Sequence, residues 1–146
     1  MEVGSAGAGS RAVELTRGAA AAIRAAALAS DPDEACGLLF GREGRISHAS
    51  VARNVAAEPR HRFEIDPAHL FDGHRKGRAG PERLIGCWHS HPGGSAVPSA
   101  HDRDGALEAG WLWLIIGRDG IRGWRPAAHG FDPVPLLELA PGRPRL

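Results

Sequence analysis

Two cysteines, Cys36 and Cys87, are too few to staple a 146-residue chain into a disulfide framework. Their scarcity points to a reducing cytoplasm rather than an oxidising compartment. No apolar run reaches the roughly 20 residues that cross a bilayer, so no membrane span is expected. The alanine-rich start is broken by Glu14, Arg17 and Arg24. It lacks a basic opening followed by a continuous leucine-rich stretch, and a signal peptide is not expected. Charge of one sign is also missing. A net charge of +1 gives no electrostatic case for nucleic acid or an anionic membrane surface. Lysine is nearly absent: Lys76 stands alone, and arginine carries almost all the positive charge. With the many alanines and glycines, that skew suggests a GC-rich bacterial genome. No internal repeat is visible.

What is present suits a globular domain. Hydrophobic residues make up 42% and charged residues 24%, ordinary proportions for a packed core. A chain of this length buries roughly two-thirds of its unfolded surface without needing disulfides. One domain over residues 1–146 is expected, with 1–10 and 141–146 as loose tails. Alanine content predicts a helix over about Arg11–Ala29, ended by Ser30-Asp31-Pro32-Asp33. Short strands are expected at 36–41, near 46–52 and around 62–65. Asp66-Pro67 reads as a helix start, an N-cap followed by proline at the first helical position, with the helix running to about Lys76. Residues 83–91 read as a strand entering a loop, and Ser99 to about Glu108 as a helix. WLWLIIG (111–117) is the clearest central strand, paired across Arg118-Asp119-Gly120 with 120–126. Pro133 and Pro135 confine a last strand, 131–139, to a sheet edge. This order predicts an α/β fold, a mixed sheet with helices packed on it.

The segment that carries chemistry is His89-Ser90-His91-Pro92-Gly93-Gly94, continuing to Pro98-Ser99-Ala100-His101-Asp102. Residues two apart on extended chain share a face, so His89 and His91 can offer both imidazoles to one metal. Ser99 and Asp102, three apart, share one face of the helix that Pro98 launches. Two imidazoles and a carboxylate leave one position open, as at catalytic rather than structural zinc. Iron and manganese accept such ligands too, but zinc is the commoner choice without redox chemistry. A base must take the proton of the attacking water. Glu34, just before the buried strand CGLLFG, is the candidate, with Asp31, Asp33 and Glu43 as rivals. Ser99 could donate its hydroxyl to a developing oxyanion. Ser99-x-x-Asp102 also reads as a capping box with Asp in place of Glu. Cys36, Cys87 and the four tryptophans read as core, and HRKGR (74–78) as a solvated helix end.

The spacing resembles the JAMM (MPN-plus) metalloprotease motif. That motif has an upstream Glu, then His-x-His-Pro, with seven residues between the second His and the Ser of Ser-x-x-Asp; here Glu34, His89, His91, Ser99 and Asp102 fill it. The flanks EACGLLFG, ARN (52–54) and RFEIDPAHL (62–70) are similar to compact prokaryotic members. The resemblance implies a curved mixed sheet with helices on both sides. It implies zinc held by His89, His91 and Asp102, with Glu34 as acid/base and Ser99 stabilising the tetrahedral intermediate. It also implies hydrolysis of a peptide or isopeptide bond after the C-terminal glycines of a ubiquitin-like or sulfur-carrier protein. Two other readings stand beside it: a zinc hydrolase of small amide conjugates, and a non-catalytic interaction module. The zinc deaminases are excluded, because no His-x-Glu with a later Pro-Cys-x-x-Cys occurs.

Overall fold

Strict alternation along the three central strands sets two apolar faces, and each face takes one long helix. A computed structural model of the chain describes residues 11–105 and 110–140. Its elements are β1 (Val13–Leu15), α1 (Arg17–Ser30), β2 (Cys36–Arg42), β3 (Arg45–Ala49), α2 (Pro67–Ala79), β4 (Arg83–Ser90), α3 (Ala100–Gly105), β5 (Leu112–Gly117), β6 (Gly120–Ala127), β7 (Gly130–Val134) and β8 (Leu136–Glu138). Leu39, Trp88, Leu112 and Leu114 point to one face and bury against Ala19, Ala20 and Ile23 of α1. Leu38, Phe40, Cys87 and Trp113 point to the other, under Leu70 of α2 and with Phe63 and Leu84. Trp88 is fully buried and its Nε1–H donates to Ser50 O at 2.7 Å. A side chain at Gly37 would collide with both that ring and Ser50 O, so glycine is required there. Truncating Trp88 to alanine would cost about 3–5 kcal/mol.

The eight strands form one sheet in the order β7-β6-β5-β4-β2-β3-β1-β8. β4–β5, β1–β3 and β1–β8 are parallel pairs and the rest antiparallel, so the sheet is mixed. Its two edge strands, β7 and β8, are separated in sequence only by Pro135. The sheet must therefore curl until its edges nearly meet, and Leu136 of β8 packs against Gly123 of β6. The mixed, curved sheet with helices on both sides matches the expectation.

Several element boundaries differ from those expected. Arg11–Leu15 is not helix: Val13 and Leu15 point inward as β1, and Thr16 caps α1 by accepting from Ala19 N–H at 3.2 Å. No strand forms over 62–65; the segment has one isolated bridge, Asn54 to Ile65, and is otherwise held by turn and side-chain hydrogen bonds. β3 ends at Ala49 rather than Ala52. α2 starts as expected, with Asp66 accepting from Ala68 N–H, but runs to Ala79, where Gly80 N–H bonds Lys76 O at 3.0 Å. The last expected strand is two, β7 and β8, both at sheet edges: Pro133 lies within β7 and Pro135 separates the two. The expected tails 1–10 and 141–146, and the end of the helix expected to reach Glu108, lie outside the described residues. Among the described residues no helix is long and apolar enough to cross a membrane.

Candidate metal centre

Two reciprocal hydrogen bonds, one to a side-chain hydroxyl and one between backbones, bring distant segments together at one end of the sheet. Ala35 N–H donates to Ser90 Oγ at 2.7 Å, and Ser90 N–H to Ala35 O at 3.0 Å. This pairing fixes Glu34, one residue earlier, beside the end of β4, where Cys36 and His89 are register partners. His91 stays in line because its N–H donates to Ile116 O at 2.9 Å. The chain then turns at Gly93, whose φ of +70° favours glycine.

The loop after His91 is clamped to the β5–β6 turn. Ala96 N–H donates to Asp119 Oδ1 at 2.8 Å and Arg118 N–H to Gly94 O at 2.8 Å. Trp124 Nε1–H donates to Ala96 O at 2.9 Å. The backbones approach so closely that a Cβ on Gly117 would lie 2.6 Å from Gly94 O and Ala96 N. These clamps swing Ser99 and α3 back over the histidines.

The result is a tight polar cluster. His89 Nε2 lies 3.0 Å from Asp102 Oδ1, and His91 Nε2 lies 3.1 Å from Asp102 Oδ2. The two Nε2 atoms are 3.1 Å apart. Glu34 joins the histidines, with one ligand atom from each of the three within 4.8 Å of the others. Donors bound tetrahedrally at 2.0–2.1 Å stand roughly 3.3 Å from each other, close to these separations. Ser95 O can only accept, so His91 Nδ1 is its donor at 2.8 Å; in the neutral ring the Nε2 lone pair then faces the cluster, and in the protonated ring that Asp102 favours Nε2–H donates to Asp102 instead. Glu34 Oε1 and His89 Nδ1 are buried without a protein partner. Nitrogen and oxygen donors gathered this closely, with buried polar atoms to spare, fit a divalent cation.

Burial and neighbouring charge tune the group. Burial pushes Glu34 up to about 7, with His91 opposing the shift and the charge of Asp102 adding to it. Burial also raises Asp102, but hydrogen bonds from His89 and His91 and from Ser99 N–H outweigh it and hold the carboxyl well below the usual range. Burial lowers His89, favouring the neutral imidazole that a cation needs. Phe63 stacks on His89 with ring centroids 4.3 Å apart and planes 19° apart, and Trp113 meets it edge-on at 5.7 Å. These rings keep water from His89, which is fully buried.

Each residue expected from the sequence can now be placed. Glu34, His89, His91 and Asp102 come together. Ser99 forms a reciprocal capping box: its N–H donates to Asp102 Oδ2 at 2.9 Å, and its Oγ accepts from Asp102 N–H at 3.1 Å. An oxygen that accepts there still has its own hydrogen to donate, so capping leaves the hydroxyl free for chemistry. Asp31 and Glu43 are exposed, and Glu43 sits at the far end of β2; neither they nor Asp33 joins the group. Cys87 is buried on the same face but takes no part. His101 is exposed. Sequence reasoning missed Asn54, Phe63, Ser90 and Asp119 as supports of the site. Asn54 and Phe63 lie in the segments ARN and RFEIDPAHL, and their chemistry alone marks neither.

Comparison with known proteins agrees with this geometry. Residues 16–127 match the family described as prokaryotic homologs of the JAB domain. The chain is 36% identical over 119 residues to a desampylase of Haloferax volcanii, covering 80% of this chain and 83% of that protein. It is 32% identical over 110 residues to a Thermus thermophilus protein named "Probable TtuB-protein conjugate cleaving protease", covering 74% of this chain and 72% of that protein. Among solved structures, a Desulfitobacterium hafniense protein superposes with a TM-score of 0.78 at 26% identity, covering 87% of this chain and 92% of its own.

Proposed function

The chain belongs to the prokaryotic JAB-domain family of JAMM-type hydrolases, and from that premise we propose a zinc-dependent metallopeptidase that cleaves protein conjugates. Its substrate is the amide bond, peptide or isopeptide, after the C-terminal Gly-Gly of a ubiquitin-like or sulfur-carrier protein. The observation that carries the reading is the convergence of His89 Nε2, His91 Nε2 and both Asp102 oxygens within 3.0–3.1 Å, with Glu34 adjoining. Relatives named for removing conjugated proteins support the substrate class. The two free, buried cysteines support work in the cytoplasm.

In this reading His89, His91 and Asp102 hold the metal. Bound zinc supplies Lewis acidity, polarising the scissile carbonyl and lowering the pKa of water towards roughly 7. Glu34 takes the proton of the attacking water and later delivers it to the leaving amine nitrogen. A carboxyl held at about 7 suits both halves of that task at neutral pH. Ser99 donates its hydroxyl hydrogen to the oxygen on which charge develops. Ser95 O keeps His91 in the tautomer that presents Nε2, and Phe63 and Trp113 exclude water behind His89. An extended substrate strand lays its backbone beside the centre, and glycines without a Cβ let that backbone pass close to it.

The test is a pair of carrier-like substrates, one with Gly-Gly and one with Ala-Ala before the bond, given to zinc-loaded protein. Cleavage of the first, abolished by a chelator and restored by zinc, is expected. Equal cleavage of both rejects a glycine-gated cleft. Cleavage of neither, with turnover of a small amide, moves the substrate to small-molecule conjugates.

A further inference from the structure

Residues 55–64 leave the sheet and return beside His89, and one side chain closes the base of this loop. Asn54 Oδ1 accepts from Ala56 N–H and Glu64 N–H, both at 3.0 Å. Asn54 Nδ2 donates to Glu34 O and Arg62 O, both at 3.0 Å, with Pro59 O more distant at 3.4 Å. From the loop side, Pro59 O accepts Glu34 N–H at 2.7 Å. Both backbone groups of Glu34 are therefore bonded into one structure, its N–H to the loop and its C=O to Asn54. Phe63, the ring stacked on His89, sits between Arg62 and Glu64, the two residues whose backbones Asn54 holds.

We propose that Asn54 is a positioning residue of the hydrolytic site, aiming Glu34 through its backbone and holding Phe63 against His89. The inference rests on the reading of Glu34 as general base. Glu34 Oε1 has no hydrogen-bond partner of its own, so no bond at that oxygen aims the side chain, and the placement of the main chain that carries it matters the more. Only a carboxamide combines two donors and an acceptor in one short planar group. Aspartate has the same shape but cannot donate, and would turn an acceptor towards the carbonyls of Glu34 and Arg62. Misplacing a reacting group by about 1 Å costs on the order of 10²-fold in rate, so a tether on the backbone of the residue that bears the carboxylate matters.

Asn54→Asp is the discriminating variant, because it keeps the two bonds to Oδ1 and removes those from Nδ2. The first readout needs no turnover: amide hydrogen exchange of the metal-free protein. Exchange at Glu34 N–H should quicken by about 10-fold, the worth of one lost hydrogen bond, while Leu39 and Leu114 stay unchanged. The ring-current shift that Phe63 imposes on the His89 ring protons should shrink in the same sample. The second readout is a double-mutant cycle with Glu34→Gln. Asn54→Asp should lower kcat roughly 10- to 100-fold at full zinc content, but change the residual rate of Glu34→Gln by less than about 3-fold. Unaltered exchange at Glu34, or losses in kcat that simply multiply, would overturn the proposal. Should Asn54→Asp not fold, Asn54→Gln keeps every donor and acceptor at one methylene's longer reach. It should loosen the Glu34 amide to a lesser degree, and an amide as protected as in the wild type rejects the tether. If the wild type cleaves no conjugate yet Glu34 N–H loosens as expected, the tether stands and the proposed function fails.

Discussion

Towards the far end of β2 from the candidate metal centre, a cleft of about 270 Å³ is lined by Phe40, His48, Ser50, His69, Asp72 and Glu82. It holds the same residue types as the metal centre, but they are arranged differently. Asp72 bonds Arg75 at 2.6 Å and Lys76 at 3.0 Å. Glu82 accepts from Ser47 Oγ at 2.6 Å, and the Ser50 hydroxyl lies 2.8 Å from His69 Nε2. Each carboxylate there has a local donor and a share of solvent. At the other end, two histidines share one buried carboxylate, and Glu34 Oε1 and His89 Nδ1 have no protein partner. Open space therefore does not mark the chemistry in this protein. Buried polar groups left facing one another do.

Parallel substitutions at the two ends can break this contrast. Removing a ligand should have the largest effect. Asp102→Ala should weaken zinc binding by more than about 100-fold, beyond what loss of an outer supporting group costs, and turnover should vanish with the metal. Asp72→Ala, its counterpart in the far cleft, should leave zinc content and turnover unchanged. Metal analysis of the purified pair decides: full zinc in Asp102→Ala removes that residue from the ligand set.

The base comes next. Glu34→Gln should keep the metal and lower kcat by roughly 10²- to 10⁴-fold, because an amide cannot accept the water's proton. His69→Gln, in the far cleft, should keep the metal and leave kcat unchanged. Loss of zinc from Glu34→Gln would make Glu34 a ligand instead, which the proximity of its oxygen to both histidines makes a real alternative outcome. Ser99→Ala follows, with a fall in kcat of about 10²–10³-fold for one lost oxyanion donor and about 1 kcal/mol of stability for the lost cap. Ser99→Thr keeps the hydroxyl and should be milder in both. A lower Tm with unchanged kcat in Ser99→Ala would leave Ser99 as a cap alone.

How legible each part was in the sequence follows from how local its physics is. His89, His91, Ser99 and Asp102 fall in one strand–loop–helix segment, where fixed spacing translates directly into a shared face. Glu34 lies far away in sequence, and Asp31, Asp33 and Glu43 rival it on residue type; only its pattern within a known family separated them. In the structure the separation comes from Ala35–Ser90 pairing, a contact between strands that no local pattern encodes. The same limit explains β1. Val13-Glu14-Leu15 follows helix-favouring composition into α1, but parallel pairing with β3 and β8 overrides that propensity. It also explains the missing strand at 62–65, where Asn54 takes up backbone groups that a ladder would have used. The central strand near 111–117 and the start of α2 at Asp66-Pro67 depend on near neighbours, and both match expectation.

The smallest expected effect concerns stability, and it too has opposite signs at the two ends. Burial raises Glu34 from 4.5 to about 7 in the metal-free protein. A folded-state pKa above the unfolded value means the fold favours the protonated form. That stabilisation is complete below about 4.5 and is lost as pH rises through about 7. Glutamine is neutral throughout, so metal-free Glu34→Gln should gain on wild type as pH rises. The gain should reach about 1–3 kcal/mol by pH 8, allowing for solvent screening at the open side of the site. Asp72 has the reverse behaviour, because hydrogen bonds from Lys76 and Arg75 lower its pKa. Its contribution is present above the unfolded pKa and fades in acid, so Asp72→Asn should lose a little stability at neutral pH and nothing at low pH. Urea denaturation of both metal-free variants and wild type between about pH 3 and pH 8 is the measurement, since the Asp72 contribution fades only below its unfolded value of 3.8. A Glu34→Gln advantage that stays flat or shrinks with pH would mean that the carboxylate is already neutralised within the protein. This end of the sheet would then carry no uncompensated charge for a cation to relieve.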